Sequence, residues 1–320
     1  MRRKSLALLP FAIVLFLALA CAAAAADSSS PFTLHEVASG VWAAIDNPAA
    51  KAARAGANAG FIIGSDSVAV VDTFENPAAA QALLGEIRKK TSLPIRFVVN
   101  THYHIDHVAG NNIFAAAGAT ILAQDNVRAW ERTENLKFFG PQVKPEQKQM
   151  VESLGLPTVT YKDRVDLYLG TRRVIVVSLP GHTGGDSVVF VPDANVLFTG
   201  DLFWRHTLPN LIDASTKPWV ESLDAILSRH PEATFVPGHG EVGNAQDLRG
   251  FRDYLVALRE AVGQAQSAGQ SGDALVSAVL AKLQPKYGDW DAFQFFSKRD
   301  IQFTDEELRG TKKIPQPPAD

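Results

Sequence analysis

The sequence predicts a mixed α/β fold in which short strands alternate with helices, and two observations carry this prediction. The first is composition: of the 320 residues, 46% are apolar and 20% are charged, close to the average of folded globular proteins. The second is patterning: from Phe32 onwards, short runs rich in Val, Ile and Phe alternate with longer stretches of helical periodicity. Together they exclude a disordered, collagen-like or coiled-coil chain.

The first 26 residues have the pattern of a secretory signal peptide. Residues 2–4 are Arg-Arg-Lys, an apolar run covers residues 6–26, and the alanines at 24–26 offer a cleavage site. We therefore expect an exported protein, periplasmic or secreted. Two alternatives stay open: an uncleaved membrane anchor, because the run is long enough to span a bilayer, and a lipoprotein attached through Cys21.

Charge and cysteine content narrow the class of function further. The formal net charge is 31 − 34 = −3, which argues against nucleic acid as the main partner. Cleavage after residue 26 removes three basic residues and leaves 28 − 34 = −6. Cys21 is the single cysteine, so an intrachain disulfide is impossible and the mature chain has no thiol for catalysis. We expect a small-molecule substrate and, apart from the leader or a lipid on Cys21, no membrane attachment; the sequence leaves the oligomeric state open.

The first half of the exported chain is predicted to form a hairpin, a helix and a further strand. Residues 60–64 and 68–72 have strand patterns on either side of a Ser-Asp-Ser turn. Residues 77–90 form a helical pattern with an early proline and a basic last turn. The apolar pattern of residues 96–100 predicts a buried strand. The more polar residues 124–155 are expected to form a helix and a mobile loop.

The second half repeats this plan. We predict a strand over 173–180, a hairpin from 187–191 and 195–199, a helix over 219–228, a strand over 234–236 and a helix over 246–268. In each half the second hairpin strand ends in an aspartate, Asp72 or Asp201, which hints at an internal duplication. The organisation expected is a signal peptide over 1–26, one domain over 27–268, and a helical extension with a Pro-rich tail over 269–320.

Three histidines within six residues follow the predicted strand 96–100. The run is His102-Tyr103-His104-Ile105-Asp106-His107. It lies at the carboxyl end of a strand, where α/β folds usually place ligands. Side chains two apart can project the same way, so His102 and His104 would serve one centre, while Asp106 and His107 would face a second. Four such groups packed together would repel one another if charged, and a divalent cation removes the conflict.

Three further candidate ligands lie at predicted strand ends beside glycine. His182 follows Pro-Gly, Asp201 follows Thr-Gly at the end of the second hairpin, and His239 lies between two glycines. Taken singly each has an ordinary explanation, such as a helix N-cap for Asp201. Their shared placement indicates a metal site instead. His35, His206 and His230 lack this context, and we interpret His35 and His230 as ordinary histidines.

The order of these motifs resembles the metallo-β-lactamase superfamily of hydrolases, from about residue 41 to residue 250. The resemblance implies an αββα four-layer sandwich with two Zn²⁺ ions, or iron or manganese, at one edge of the sheets. It also implies a role for each ligand: His102, His104 and His182 for the first metal, Asp106, His107 and His239 for the second, and Asp201 as the bridge. Asp72 matches the family's strand-end aspartate and would orient a ligand imidazole.

The chemistry implied is hydrolysis of an ester, thioester, lactone or lactam carbonyl. Two ions about 3.5–4 Å apart can share a bridging hydroxide, which exists near neutral pH because zinc lowers the pKa of bound water to about 7. Asp106 would be the catalytic residue, orienting the hydroxide and passing a proton to the leaving group. Phe138, Phe139, and residues 204–206 (Trp-Arg-His) would contact substrate from loops over the metals, unless the aromatic residues are core and the arginine is solvated.

The sequence does not decide between several classes of hydrolase. Asp201 stands where the true β-lactamases of the superfamily carry Cys or Ser, which favours the broader group that includes glyoxalase II-type thioesterases and lactonases. Export favours a genuine β-lactamase, and residues 250–320 show no recognisable glutathione-binding elements. His104 argues against diiron flavoproteins, which carry Glu there. An iron-dependent persulfide dioxygenase and a non-catalytic metal-binding scaffold remain as further alternatives.

Overall fold

A computed structural model describes residues 30–317, in which twelve strands form two sheets. The first sheet has the strand order β1-β2-β3-β4-β5-β6-β7, and its strands are β1 (Phe32–Ala38), β2 (Val41–Asp46), β3 (Ala59–Ile63), β4 (Val68–Val71), β5 (Ile95–Val99), β6 (Thr120–Gln124) and β7 (Val159–Tyr161). The second has the order β12-β11-β10-β9-β8, and its strands are β8 (Arg164–Leu169), β9 (Arg172–Ser178), β10 (Ser187–Val191), β11 (Val196–Trp204) and β12 (Thr234–His239).

Helices connect and cover the strands. They are α1 (Pro77–Lys90), α2 (Ile105–Val108), α3 (Asn111–Ala116), α4 (Asp125–Trp130), α5 (Pro145–Glu152), α6 (Thr216–Arg229), α7 (Ala245–Ser267), α8 (Gly272–Tyr287) and α9 (Phe293–Leu308), with short 3₁₀ turns at Pro48–Ala53 and Asn135–Phe139. Among residues 30–317, no helix combines the length and the apolar character needed to cross a membrane.

Three apolar layers show that the sheets are stacked between helices. The middle layer joins inward residues of both sheets, such as Val71 and Val99 from the first and Val189 and Phe198 from the second. On the outer face of the first sheet, α1 and α3 pack against β3, β4 and β5. On the outer face of the second sheet, α6, α7, α8 and α9 share one core with β10, β11 and β12. The predicted αββα sandwich is confirmed.

The direction of the strands decides where the loops meet. In the first sheet β1 to β4 pair antiparallel, whereas β4, β5, β6 and β7 pair parallel. In the second sheet β11 and β12 pair parallel, with Trp204 opposite His239. Parallel neighbours bring their carboxyl ends to one edge, so the segments after β4 and β5 and the last residues of β11 and β12 share an edge of the sandwich.

The predicted elements match the observed ones closely, with one correction. The first hairpin, the helix over 77–90 and the strand over 234–236 are found as β3–β4, α1 and β12. Asp201 does not end its strand as predicted, because β11 continues to Trp204. The pairing register with β12 is irregular on both sides of Gly200, which has a left-handed φ of +50°. This bulge lets the strand continue while it redirects the carboxylate.

Two further predictions concern residues 1–26 and residues 124–155. The signal peptide over 1–26 and Cys21 lie outside the described residues. Residues 124–155, expected to be helix and loop, contain α4, a 3₁₀ turn and α5.

Candidate metal centre

The His-rich motif occupies the sheet edge immediately after β5. His104 is the N-cap of the one-turn helix α2, and His107 lies inside that helix. The backbone carbonyl of His107 accepts hydrogen bonds from the backbone N–H of Thr73, at 2.8 Å, and from its hydroxyl, at 3.1 Å. The segment after β4 therefore fixes the helix that carries the second pair of candidate ligands.

Four side chains converge as a first cluster: His102, His104, His182 and Asp201. All four are buried. Nε2 of His182 lies 2.9 Å from Nδ1 of His104 and 3.2 Å from Oδ2 of Asp201. Nε2 of His102 lies 3.7 Å from the same oxygen. The structure thus brings together the residues that the sequence assigned to one metal.

A second cluster contains Asp106, His107, His239 and, again, Asp201. Here the other oxygen of Asp201, Oδ1, lies 3.0 Å from Nε2 of His107 and 3.4 Å from Nε2 of His239. Oδ2 of Asp106 lies 3.3 Å from Nε2 of His239 and 3.6 Å from Nε2 of His107. One carboxylate therefore faces both clusters, one oxygen to each, which is the arrangement expected of a bridging ligand.

The donor set fits divalent cations. Nε2 of His102, His107 and His239 and Oδ1 of Asp201 are buried, yet within the described chain none has a hydrogen-bond partner. Orphaned buried polar atoms are costly and call for an explanation such as an ion. Tetrahedral zinc with Zn–N bonds of about 2.0–2.1 Å separates its ligand atoms by about 3.3–3.4 Å. The separations in both clusters scatter around that value.

Asp72 fixes the orientation of two of these imidazoles. Its carboxylate accepts hydrogen bonds from the backbone N–H and the hydroxyl of Thr101, both at 2.8 Å, and faces Nδ1 of His107 at 2.9 Å. The Thr101 hydroxyl also lies 3.1 Å from Nδ1 of His102. With Nδ1 engaged, each ring is left with Nε2 for its cluster. Asp72 has a strained left-handed φ of 58°, which the strand end and these contacts hold in place.

Asp213 does the same for His104, and sequence reasoning missed it. Its Oδ2 lies 3.2 Å from Nε2 of His104 and accepts a hydrogen bond from the hydroxyl of Tyr103. Its Oδ1 accepts one from Nζ of Lys137 at 2.5 Å. Nδ1 of His104 is thereby left for the first cluster. No local pattern marks Asp213, because it meets His104 across more than a hundred residues of sequence.

Burial keeps two histidines of the first cluster, His102 and His182, neutral. It holds the pKa of His102 well below its usual range and lowers the pKa of His182 to about 3. The neighbouring imidazoles lower both further, while Asp201 opposes them. Neutral imidazole is the form that binds a metal ion.

In the second cluster, the charges that act on the histidines are balanced differently. Burial opposes protonation of its histidines, but Asp201 and Asp106 outweigh it, raising the pKa of His107 well above its usual range and that of His239 to about 9. Burial would raise the pKa of Asp106, yet His107 and His239 lower it to about 2. Protons thus compensate the carboxylates of Asp201, which is buried, and Asp106, which is partly exposed. A cation that displaces those protons would provide the same compensation.

Two glycines let Asp201 reach its position. A Cβ at Gly238 would lie 1.9 Å from Oδ1 of Asp201, and one at Gly200 would lie 2.3 Å from the hydroxyl oxygen of Thr101. Either distance is far below van der Waals contact. The glycines that precede Asp201 and His239 in the sequence are therefore required by close packing around the bridging carboxylate.

A cavity of about 430 Å³ opens over both clusters. Trp204 and Phe138 line it: the Trp204 ring stacks on His239 at 3.9 Å between centroids, and the Phe138 ring meets the edge of His104 at 5.0 Å. A larger cavity, about 730 Å³, is bordered by residues 311–316 and Lys137 and has none of the seven candidate ligands in its lining. We place the functional site at the smaller cavity because the ligands are there.

Other candidates for substrate contact lie further from the clusters. Phe139 packs in a separate apolar group with Val151 and Leu154. Arg205 pairs with Asp247, with Nε 3.2 Å from Oδ2, and together with the exposed His206 it lines a neighbouring cavity that His239 also borders.

The histidines interpreted as ordinary are outside the centre. His35 is exposed on β1, and the ring of His230 packs on that of Phe190, with 4.3 Å between centroids.

Comparison with known sequences identifies relatives over much of the chain. The sequence profile of the metallo-beta-lactamase superfamily matches residues 53–239, more than half of the chain. A linear primary-alkylsulfatase from a Pseudomonas species is 25% identical over 260 residues, which cover 69% of this chain and 49% of the relative. A hydroxyacylglutathione hydrolase from Brucella anthropi is 27% identical over 187 residues, which cover 57% of this chain and 61% of the relative. The chain thus spans about half to three fifths of the length of these relatives.

Solved structures share the fold. A metallo-beta-lactamase from Pontibacter korlensis superposes with a TM-score of 0.57 at 21% identity, covering 70% of this chain and 99% of that one. The structure of TMB-1 superposes with a TM-score of 0.55 at 22% identity, covering 70% and 97%. The enzyme class predicted from the motifs, a metal-dependent hydrolase, is supported by the family and by the hydrolase among the relatives. The chain belongs to the metallo-beta-lactamase superfamily.

Proposed function

We propose that this protein is an exported hydrolase with two zinc ions that cleaves an ester, thioester, lactone or lactam carbonyl. The single observation that carries the proposal is Asp201, whose two oxygens each face a separate cluster of three further candidate ligands. His102, His104 and His182 would hold one ion, and Asp106, His107 and His239 the other. Hydroxyacylglutathione hydrolases among the relatives support hydrolysis as the reaction class.

The bound ions would supply Lewis acidity, lowering the pKa of water to about 7 and polarising the substrate carbonyl. The protein supplies orientation and proton transfer. Asp106 is the one acidic ligand with appreciable exposure, 26% of its side chain, and it borders the cavity. Its carboxylate can hold the proton that the attacking water loses and release it to the leaving group. Asp72 and Asp213 keep the imidazoles aimed, and Trp204 and Phe138 exclude water from the rings they cover.

The test is hydrolysis by the mature chain, residues 27–320, after zinc loading. The substrates are p-nitrophenyl acetate, S-lactoylglutathione, a γ-lactone, nitrocefin as the β-lactam, and decyl sulfate because of the alkylsulfatase relative. We expect the chain to bind two zinc ions and to turn over at least one carbonyl substrate. This turnover should be lost when zinc is removed by a chelator and in the Asp201→Ala variant. Asp166→Ala, on the exposed face of β8, is the matched control and should retain turnover.

Each outcome separates the candidates. Fast turnover of nitrocefin alone would make the protein a β-lactamase, and turnover of decyl sulfate alone would make it a sulfatase. Two zinc ions with no turnover of any substrate would contradict a hydrolase and favour a metal-binding scaffold. Fewer than two ions at saturation would contradict the dinuclear centre itself.

Export is proposed from the sequence of residues 1–26 alone. Fusing these residues to an alkaline phosphatase that is active only outside the cytoplasm should give activity in whole cells. A fusion with Arg2, Arg3 and Lys4 replaced by glutamate is the control, since it removes the positive region that the signal requires. Equal activity of the two fusions would contradict export through this segment.

A further inference from the structure

The first turn of α9 forms a wall of the cavity above the two clusters. Phe295 and Phe296 border the cavity beside Ala292, and Phe138 and Trp204 complete an aromatic lining around the ligands. Phe296 lies edge-on to Trp204, with 6.2 Å between ring centroids, and Phe295 lies edge-on to Phe296 at 4.7 Å. The superfamily match ends at residue 239, so this wall comes from the chain beyond the matched region.

Phe295 is exposed in a way that folding alone does not explain. It is 69% exposed, the highest value among the four exposed large apolar side chains of the described residues. Two positions earlier, Phe293 is only 4% exposed and anchors the helix in the core. Apart from its edge-on contact with Phe296, the Phe295 ring is left in solvent and adds little to the core. Exposed apolar surface beside a site commonly marks where a ligand binds.

The backbone before α9 is bent to aim this turn. Ala292 has a left-handed conformation, φ 59° and ψ 7°, which is strained for a residue with a Cβ. The bend is held by Asp291, whose N–H donates to the carbonyl of His206 and whose carbonyl accepts from the N–H of Leu208, both at 2.9 Å. Strain of this kind persists only where the surroundings enforce it, and here it places Ala292 and Phe295 on the cavity.

The rest of α9 is fixed, so the wall is preformed. The buried carboxylate of Asp300 accepts a hydrogen bond from the N–H of Leu211 at 3.3 Å. Glu307 accepts from the N–H and the hydroxyl of Thr216, at 3.0 and 2.8 Å, which attaches the end of α9 to the start of α6. A preformed apolar surface binds a ligand without the entropy cost of ordering its own side chains.

The charged side chains of the lining offer no free Arg or Lys to an anionic group remote from the clusters. Arg54 is its one Arg or Lys side chain, and its guanidinium is already bonded to the carboxylate of Asp46. Glu75 adds a carboxylate to the lining. Its pKa is raised, first by burial and then by the negative charge of Asp106. A leaving group with two carboxylates, such as glutathione, would find no unpaired Arg or Lys in this lining.

We propose that the aromatic wall of α9 binds an uncharged alkyl or aryl group, so that the substrate is a carbonyl compound with an apolar group beside the scissile bond. That the bond cleaved is at a carbonyl rests on the proposed function. Phe295 and Phe296 select for the length and bulk of the apolar group, while the two clusters act on the carbonyl.

The kinetic test compares p-nitrophenyl octanoate with p-nitrophenyl acetate. The zinc-loaded protein should have a kcat/KM at least about tenfold higher for the octanoate, and Phe295→Ala or Phe296→Ala should lower that preference by about tenfold. Tyr168→Ala is the matched control, because Tyr168 is an aromatic residue on β8 with 59% exposure, outside the cavity lining. It should leave the preference unchanged. An equal kcat/KM for the two esters, or an equal preference in the variants, would overturn the inference.

A binding measurement separates this inference from the proposed function. Octanoate, below its micelle concentration, should bind the zinc-loaded wild type at least about tenfold more tightly than acetate by calorimetry, and Phe295→Ala should remove the difference. If no ester is hydrolysed but octanoate binds in this way, the function is wrong and the apolar subsite stands. If octanoate and acetate bind equally, the subsite is wrong whatever the activity. Zinc content measured in each variant checks that the clusters are intact.

Discussion

Carboxylates outside the two clusters decide which nitrogen His104 and His107 present. Asp72 lies beside Nδ1 of His107, and Asp213 lies beside Nε2 of His104, so the two rings offer opposite nitrogens to their clusters. This follows from where each ring is anchored, since His104 precedes α2 while His107 lies within it. Partners of this kind tune metal affinity without touching the ion.

Replacing Asp213 by Asn should weaken zinc binding at the first cluster by about 10–100-fold. The charge that orients His104 is lost, while the size of the side chain is kept. Competition with a chromophoric chelator measures the affinity, independently of turnover. Asp166→Asn is the control, since Asp166 is partly exposed on β8 and pairs with Arg164 and Arg173 away from the clusters. Equal zinc affinity in wild type and Asp213→Asn would show that Asp213 serves packing alone.

Replacing Asp106 by Ala should lower turnover at least about 100-fold, because the proton-transfer group and a ligand are lost together. The first cluster keeps its four residues, so zinc content should fall from two ions towards one. Elemental analysis and the rate on the best substrate of the wild type measure the two effects. Unchanged turnover would refute the role of Asp106, and two tightly held ions would refute its place in the second cluster.

At the scale of elements, buried polar contacts join the helices that surround the site. Asn111, at the start of α3, exchanges hydrogen bonds with Asn100 after β5 and donates to the carbonyl of Gly155. The same nitrogen, Nδ2, lies 3.2 Å from Oε1 of Glu131 at the end of α4. Burial raises the pKa of Glu131 from 4.5 to about 8, against the opposing charges of Arg132 and Arg128. We therefore expect Glu131 to be protonated in the folded chain at neutral pH.

This shift predicts how stability depends on pH. The folded state holds a proton that the unfolded state releases above pH 4.5, so this contribution to stability falls as the pH rises from about 4.5 to about 8. Glu131→Gln removes the dependence and should be more stable than the wild type at pH 9.

Urea unfolding at pH 6 and pH 9, with chelator in both samples, measures the effect. Glu152→Gln, on an exposed position of α5, should follow the wild type. A stability difference between Glu131→Gln and wild type that is the same at both pH values would contradict the assignment.

At the scale of the whole molecule, the last two helices share the core of the second sheet. Val279 of α8 and Ile301 of α9 are fully buried in one cluster with Leu255 and Leu258 of α7 and Trp219 of α6. Although the sequence divides the chain at residue 268, this core continues across the division. The division into a domain over 27–268 and an extension over 269–320 stays a prediction.

Truncation tests that prediction. Ending the chain at residue 268 should expose the apolar face of α7 and give an insoluble or unfolded product, because burial of about 25 cal/mol per Å² is lost over two helices. Ending it at residue 310 is the control. It removes Lys312, whose ammonium donates to the carbonyls of Leu211 and Ala214, and Gln316, whose carbonyl accepts from the Trp130 indole. That chain should fold, with a lower thermal midpoint. A soluble, zinc-binding 27–268 fragment would contradict the shared core.

The secondary-structure elements and the candidate ligands could be predicted from the amino-acid sequence. Alternation and helical periodicity are local properties, so α1 and the β3–β4 hairpin could be predicted within a residue or two of their observed bounds. The seven ligand candidates could be named because each lies at or just after the end of a predicted strand, within a short local motif. Their resemblance to one family supplied the grouping, which the geometry reproduces.

The residues that surround the candidate ligands could be found only from the packing of distant segments. Asp213, Phe295 and Phe296 carry no local pattern, and they reach the site because β11, α6 and α9 pack against one another. The bulge at Gly200, which turns Asp201 between the clusters while β11 continues, likewise depends on pairing with β12. Local patterns predict where a chain forms strands and helices, but contacts between distant segments are fixed by packing, because no neighbour in the sequence constrains them.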